Sequence, residues 1–345
     1  MADPDGITPE ALSQYAEILK LSYTNLIVCR ALYTAAELRI PDLLGTGPAT
    51  AQDLARRAQV NPDALGRLLG VLSRAGVCTT SDDHLFSLTP MGMGLRSDIA
   101  GSLRDWVLFS GSDFYLRAWL ELPYCIRTGK PAWERAHGSP FFDYLGNRPE
   151  DQAVFDAALT SLSAPEARAV VAAYDFSPFR NVLDVGGGHG TLVAAILKAY
   201  THLRAGIFEQ PQVLEAARFT MQQAGLSDRC DFIEGSFFES LPNRYDAYLL
   251  KYIVHDWSDE KAKAILRICR SAMAKTSKLL LIEMVNSWAS ATDLRAVSDL
   301  EMLVLLGERE RSSEEFASLL AEAGFLLNRI IATRSPLSVL EALPM

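Results

Sequence analysis

His255 is the side chain best suited to acid–base work in this chain, because imidazole titrates near neutrality and can take up or return a proton there. It stands in the segment Lys251-Tyr-Ile-Val-His-Asp-Trp-Ser-Asp-Glu260. The residues before it read as a strand, and Ser258, Asp259 and Glu260 read as an N-cap and an acidic first helical turn. His255 therefore falls between a strand's carboxyl end and a helix start. A second stretch with chemical potential is Asn181-Val-Leu-Asp-Val-Gly-Gly-Gly-His-Gly190. Its apolar run reads as a buried parallel strand. Glycines at 186, 187, 188 and 190 then let the backbone turn sharply and lie against a ligand. Thr191 to Lys198 follows as a helix whose N-terminus faces that ligand. A dinucleotide loop wants Gly-x-Gly-x-x-Gly, and here Thr191 occupies the third glycine's place. The tighter spacing still specifies a nucleotide-like cofactor.

These residues need a frame, and the alternation of elements from 181 onward supplies one. Strands are predicted at 181–185, 205–209, 231–234, 247–251 and 279–283, with helices at 193–200, 211–224 and 259–273 between them. Such alternation argues an open, mostly parallel α/β sheet covered on both faces. Ligands bind outside the carboxyl ends of such strands. Asp184 with the glycines, Glu209, Ser236, Lys251 with His255, and Glu283 all cluster there, which supports one site. Glu209 lies at the end of the next strand, where a carboxylate can accept from both ribose hydroxyls. Ser236 and Phe237 end the third strand, where a hydroxyl and an aromatic edge can flank an adenine.

The first hundred residues read as helical and then winged-helix-like. Leu19 to Leu44 is an apolar helical stretch broken before Pro41. Thr50 caps one helix, and Asn61-Pro62 opens another that runs to about Ala75. Residues 76–80 and 85–89 form a hairpin around a polar turn. A winged helix can read DNA or serve dimerisation. Arginines 56, 57, 67, 74 and 96 are balanced by aspartates 53, 63, 82, 83 and 98, which leaves no basic face and favours dimerisation. Residues 102 to about 170 carry many aromatics among helical segments, which either fill a core or line an apolar pocket.

Composition narrows the classes further. The chain has 345 residues, enough for two domains or one with a large extension. Nearly half are apolar (49%), so a substantial core is expected. A net charge of −9 argues against phosphate-backbone binding, so no nucleic-acid partner is expected. The five cysteines are scattered without C-x-x-C spacing, as in a reduced, cytoplasmic protein, and neither they nor the histidines suggest a metal site. The start, Met1-Ala-Asp-Pro-Asp-Gly, is acidic and polar, so neither a signal peptide nor a membrane span is expected.

With these motifs in view, the chain resembles the class I S-adenosylmethionine (SAM)-dependent O-methyltransferases. It is most similar to the caffeic acid and hydroxyindole type, which includes bacterial natural-product enzymes. The resemblance spans nearly the whole chain: the N-terminal winged-helix region, Leu-Asp-Val-Gly-Gly-Gly (183–188), Phe-Phe-Glu-Ser-Leu-Pro (237–242), His-Asp-Trp-Ser-Asp-Glu (255–260), Arg309-Glu-Arg-Ser-Ser-Glu-Glu-Phe316 and Ala323-Gly-Phe325. It implies a Rossmann-like SAM-binding catalytic domain over 171–345, a helical linker and substrate-pocket region over 101–170, and a homodimerisation domain over 1–100. It further implies that His255 is the catalytic base, flanked and oriented by Glu283 and Glu310. Asp256 is set aside, since consecutive residues generally point different ways. The SAM contacts it implies are Asp184, Gly186, Gly188, Glu209, Ser236, Phe237, Lys251 and Trp257, with Phe155, Leu159 and Met302 for the acceptor pocket. Three positions depart from the family pattern: Glu209 and Ser236 replace aspartates, and Glu308 replaces a glycine.

The activity implied is methyl transfer to a hydroxyl of a small aromatic metabolite. Two rivals differ in kind. A relative that uses SAM without methylating, in a hydroxylation, decarboxylation or pericyclic step, would release no S-adenosylhomocysteine (SAH). A DNA-binding regulator would show strongly salt-dependent binding.

Overall fold

The computed structural model describes residues 8–285 and 294–345; the acidic start at residues 1–6 lies outside them. The chain divides into two compact units, Met1–Leu116 with Glu150–Ser161, and Arg117–Pro149 with Leu162–Met345. Among the described residues no helix is long and apolar enough to cross a membrane.

The first unit is helical with one small hairpin. The helix Ala51–Ala58 starts where Thr50 accepts a hydrogen bond from the Asp53 N–H at 3.1 Å. Pro62–Arg74 starts where Asn61 accepts from the Ala64 N–H at 2.9 Å, with Pro62 in the first turn. Strands β1 (Cys78–Thr80) and β2 (Phe86–Leu88) pair antiparallel as the wing. Leu54, Leu65, Leu69 and Leu72 form the small core beneath them. The stretch before this core is helical and broken just before Pro41, as expected. Helical structure continues through a π-turn at Lys20–Thr24 into the helix Asn25–Glu37 and breaks at Leu38–Arg39, where Arg39 has φ +54°. Pro41 sits inside the next helix, Ile40–Leu44, in its first turn, where a missing N–H costs no hydrogen bond. Tyr15, Ile18, Leu21, Tyr23 and Leu26 are all exposed along this region, an apolar stripe that one chain leaves uncovered.

The second unit holds the sheet. Its strands are β3 (Asn181–Val185), β4 (Arg204–Glu209), β5 (Cys230–Glu234), β6 (Ala247–Lys251), β7 (Lys278–Met284), β8 (Phe325–Ala332) and β9 (Leu337–Pro344). They lie in the order β5-β4-β3-β6-β7-β9-β8. The five predicted strands are all present, and neighbours among them pair parallel. The last two strands were not predicted, and β9 runs antiparallel to both β7 and β8. Residues alternate between the two faces. Val182, Ala247, Leu249, Leu280 and Ile282 enter one core, and Leu183, Tyr248, Leu250, Leu279 and Leu281 enter the other. Helices cover both faces, as a parallel sheet requires. Chain direction across the sheet reverses between β3 and β6, so the crevice for a ligand opens between their carboxyl ends.

β9 also carries a buried charge. The Glu341 carboxylate accepts from Tyr174 at 2.5 Å, Asn328 at 2.6 Å, Lys278 at 2.8 Å and Arg329 at 3.1 Å. Burial alone would raise its pKa, but Arg329, Lys278, Tyr174 and Asn328 more than offset this and hold it at about 2. A depressed carboxylate contributes stability that is complete above its ordinary value of 4.5 and is lost as pH falls towards about 2. The urea midpoint of the wild type is therefore expected to fall across that window. Glu341→Gln should start lower at neutral pH and lose less over the same window. Parallel curves for the two proteins would show that Glu341 does not carry the acid sensitivity.

Candidate active site

The glycine loop leaves β3 at the switch between β3 and β6. Gly186, Gly188 and Gly190 have φ of +70°, +52° and +77°. A Cβ on Gly186 would strike Ile253 Cδ1 at 2.5 Å, and one on Gly190 would strike Ile207 Cδ1 at 2.7 Å. At Gly188 a Cβ would meet nothing within 4 Å, so that backbone faces open space. Asp184 is buried beneath the loop, and its Oδ1 has no hydrogen-bond partner among the described residues. Burial lifts its pKa to about 7, Glu209 adds to the rise, and Lys251 opposes it. Glu209 ends β4 and folds back onto the loop, accepting from the Gly188 N–H at 3.1 Å and the Gln210 N–H at 2.8 Å. Ser236 lies two residues beyond β5, and its hydroxyl accepts from the Phe238 N–H at 3.2 Å. Phe237 and Trp257 approach edge to face with centroids 6.4 Å apart.

The chain leaves β6 through Tyr252, which is held at φ +56° while its N–H donates to the Ile282 carbonyl at 3.1 Å. A short 3₁₀ turn, Val254–Asp256, then carries His255. The imidazole is buried and engaged at both nitrogens. Nδ1 lies 3.1 Å from Glu310 Oε1, and Nε2 lies 3.3 Å from Asp256 Oδ1. The Tyr252 ring stacks on it at 5.1 Å. Burial by itself would lower the proton affinity of His255, but Asp256, Glu283 and Glu310 overturn that and raise it. Burial likewise pushes the Asp256 carboxyl up, with His255 opposing.

The expectation that Asp256 points away from its neighbour is thus corrected. Opposed directions hold for extended chain, whereas a tight 3₁₀ turn folds the carboxylate back to the ring. Glu283 also acts differently from the flanking role expected of it. Its Oε1 accepts from the backbone N–H groups of Ile253 and Val254 at 3.2 and 2.8 Å, so it holds the turn while its charge acts on the ring through space. Glu310 is oriented by the Ser298 hydroxyl, which donates to it at 2.7 Å. Ser258 occupies the N-cap position of the helix Asp259–Ala272 but makes no side-chain capping bond. Of the three residues expected at an acceptor pocket, Phe155 packs edge-on to Phe109 at 5.5 Å, Leu159 is exposed, and Met302 is buried.

Arg311 carried no expectation of its own, although it is almost fully buried. Its guanidinium donates to the carbonyls of Val254 and Trp257, each at 2.8 Å, and to Asp259 Oδ1 at 2.7 Å. Two carbonyls on either side of His255 are thereby pinned by one rigid fork. The signal was the dipeptide itself: Glu310 takes the ring and Arg311 takes its backbone. Arg311→Met should cost about 2–4 kcal/mol, because two buried carbonyls and an ion pair lose their partner. Urea denaturation measures this, and a loss below 0.5 kcal/mol (roughly the scatter of neutral surface changes) would show that the fork is not needed.

The chain is similar to known proteins over most of its length. Residues 119–326 match the family model of the O-methyltransferase domain, and residues 21–96 match that of the O-methyltransferase dimerisation domain. The chain is 39% identical to a phenazine O-methyltransferase of Lysobacter antibioticus, over 95% of this chain and 96% of that protein. It superposes on the crystal structure of LaPhzM with a TM-score of 0.90 at 38% identity, covering 96% of this chain and 99% of that one. A neocarzinostatin-biosynthesis O-methyltransferase, solved with SAM and 2-hydroxy-5-methyl naphthoic acid, superposes with a TM-score of 0.77 at 33% identity, covering 92% and 96%. The chain belongs to this family of SAM-dependent O-methyltransferases.

Proposed function

We propose that the chain methylates a hydroxyl of a small aromatic metabolite, with the His255–Asp256 pair as the base. The observation that carries this reading is the buried imidazole gripped at both nitrogens beside the glycine cradle. The relatives' substrates, phenazine and naphthoic acid rings among them, support an aromatic acceptor.

The residues present suit SAM. Gly188 leaves its face open to a ligand, Glu209 at the end of β4 would accept from the ribose hydroxyls, and Phe237 and Trp257 would flank the adenine. We assign Asp184, Gly186, Gly188, Glu209, Ser236, Phe237, Lys251 and Trp257 to that site. Bound there, SAM supplies an activated methyl on a sulfonium. The protein's own work is to hold the acceptor oxygen in line and to take its proton. A free phenol has a pKa of about 10, so at neutral pH the proton must leave as the oxygen attacks. Asp256 Oδ1 lies 3.3 Å from Nε2, close enough to couple the two titrations. The acceptor hydroxyl meets that pair, gives up its proton to it, and leaves Glu310 and Glu283 to stabilise the imidazolium.

We further assign residues 1–100 to dimerisation, 101–170 to the linker and acceptor region, and 171–345 to catalysis. The exposed apolar stripe around Tyr15 to Leu26 supports the first of these. Five free cysteines support a reducing, cytoplasmic location.

His255→Gln should keep SAM binding and lower methyl transfer to a neutral phenol by roughly 10²–10⁴-fold. The residual rate should climb with pH as the acceptor ionises in solution. SAH release at near wild-type rates would overturn the base assignment. No SAH release from the wild type with any phenolic acceptor would favour a non-methylating reaction. Sedimentation should give about twice the chain mass of 37.9 kDa; an active monomer would contradict the dimer.

A further inference from the structure

Glu166 belongs to no sequence motif, yet it is buried at the foot of the site. It projects from the helix Pro149–Ala173 and grips two consecutive residues. Its Oε2 lies 2.8 Å from Lys251 Nζ, and its Oε1 accepts the Tyr252 hydroxyl at 2.8 Å. Both sides of the ion pair are shielded, with the lysine side chain 12% and the glutamate side chain 9% exposed. The Lys251 ammonium also donates to Ser163 Oγ at 3.4 Å and lies 4.3 Å from the Tyr252 ring centroid. That same ring stacks on His255.

The charge arithmetic of the reaction gives this pair a meaning. The methyl donor enters as a sulfonium cation, and the product leaves as a neutral thioether. An uncompensated ammonium buried in the cofactor site would favour the neutral product over the cationic donor, since little solvent screens it. We infer that Glu166 sets the charge preference of the cofactor site by neutralising Lys251, so that the sulfonium is not penalised relative to its thioether product. Glu166 acts through Lys251 and is a positioning residue. Its second bond, to Tyr252, fixes the ring that lies against the base. This inference rests on the assignment of Lys251 to the SAM site made above.

The test uses the full-length protein and calorimetric titration with SAM and with SAH. The readout is the ratio of their dissociation constants, in which any uniform loss of contact cancels. Glu166→Gln keeps the shape and an acceptor for Tyr252 but removes the charge, and it should shift the ratio about tenfold against SAM, the scale of one uncompensated charge at a poorly screened site. Tyr252→Phe removes a hydrogen bond and no charge, so it should leave the ratio unchanged. A glutamate that merely tethers the helix would weaken both ligands alike, and an unshifted ratio in Glu166→Gln overturns the inference. If Glu166→Gln does not fold, Lys251→Met serves with the opposite sign. It leaves Glu166 uncompensated and should shift the ratio towards SAM, and a ratio that stays put or moves against SAM sinks the idea. Wild-type protein that binds neither ligand would instead refute the cofactor assignment itself.

Discussion

An imidazole that must take on a proton away from water needs partners already in place to hold the charge it gains, and this site is organised around that constraint. His255 is buried with carboxylates at both ring nitrogens and a third acting through space. An isolated buried charge would cost several kcal/mol, on the order of what one domain's net stability allows. Two of these carboxylates are themselves tied down, Glu283 by two backbone N–H groups and Glu310 by Ser298. Arg311 then fixes the backbone on both sides of the histidine. The network holds the ring whose proton chemistry the proposed reaction needs.

The sheet exists in the form that this network requires. β6 delivers the 3₁₀ turn, β7 delivers Glu283, and neither can shift without moving the other, because they pair in register from Ala247 with Lys278 to Lys251 with Ile282. β7 would be an edge strand if the chain ended with the parallel sheet. Instead β9 pairs with it antiparallel, placing Ser338 opposite Glu283, and β8 takes the edge beyond β9. The Glu341 cluster fastens β9 to Tyr174 at the end of the long helix that also carries Glu166. Structural charge and site charge are thus held by the same few elements.

Tyr252 shows how strain enters. A tyrosine at φ +56° is disfavoured by about 1–3 kcal/mol and persists only where its surroundings over-determine it. Here its N–H is bound to Ile282, its hydroxyl to Glu166, and its ring lies against His255. The left-handed residue turns the chain abruptly out of β6, which is what lets the histidine face back across the crevice.

The sequence by itself determined the frame and the place of the site. The apolar runs at 181–185 and 247–251 matched the strands residue for residue, because strands buried on both faces leave continuous apolar segments. The glycines announced a backbone that must turn without side chains, and polar residues at strand ends announced a common edge. The sequence was silent wherever contact depended on distant chain. The β8 and β9 pairing could not be read: β8 is an edge strand of mixed exposure, and in β9 Ser338 and Glu341 interrupt the apolar run. Glu166 lies 85 residues before Lys251, and Arg311 lies 55 after Asp256; no local spacing relates such residues. Asp256 was misjudged because side-chain direction follows from backbone dihedrals, and the 3₁₀ turn there is imposed by Glu283 and Arg311. Which residue sits at which strand end is a matter of pattern. Which charges meet there is decided only when the chain has closed over them, where low dielectric makes each pairing obligatory.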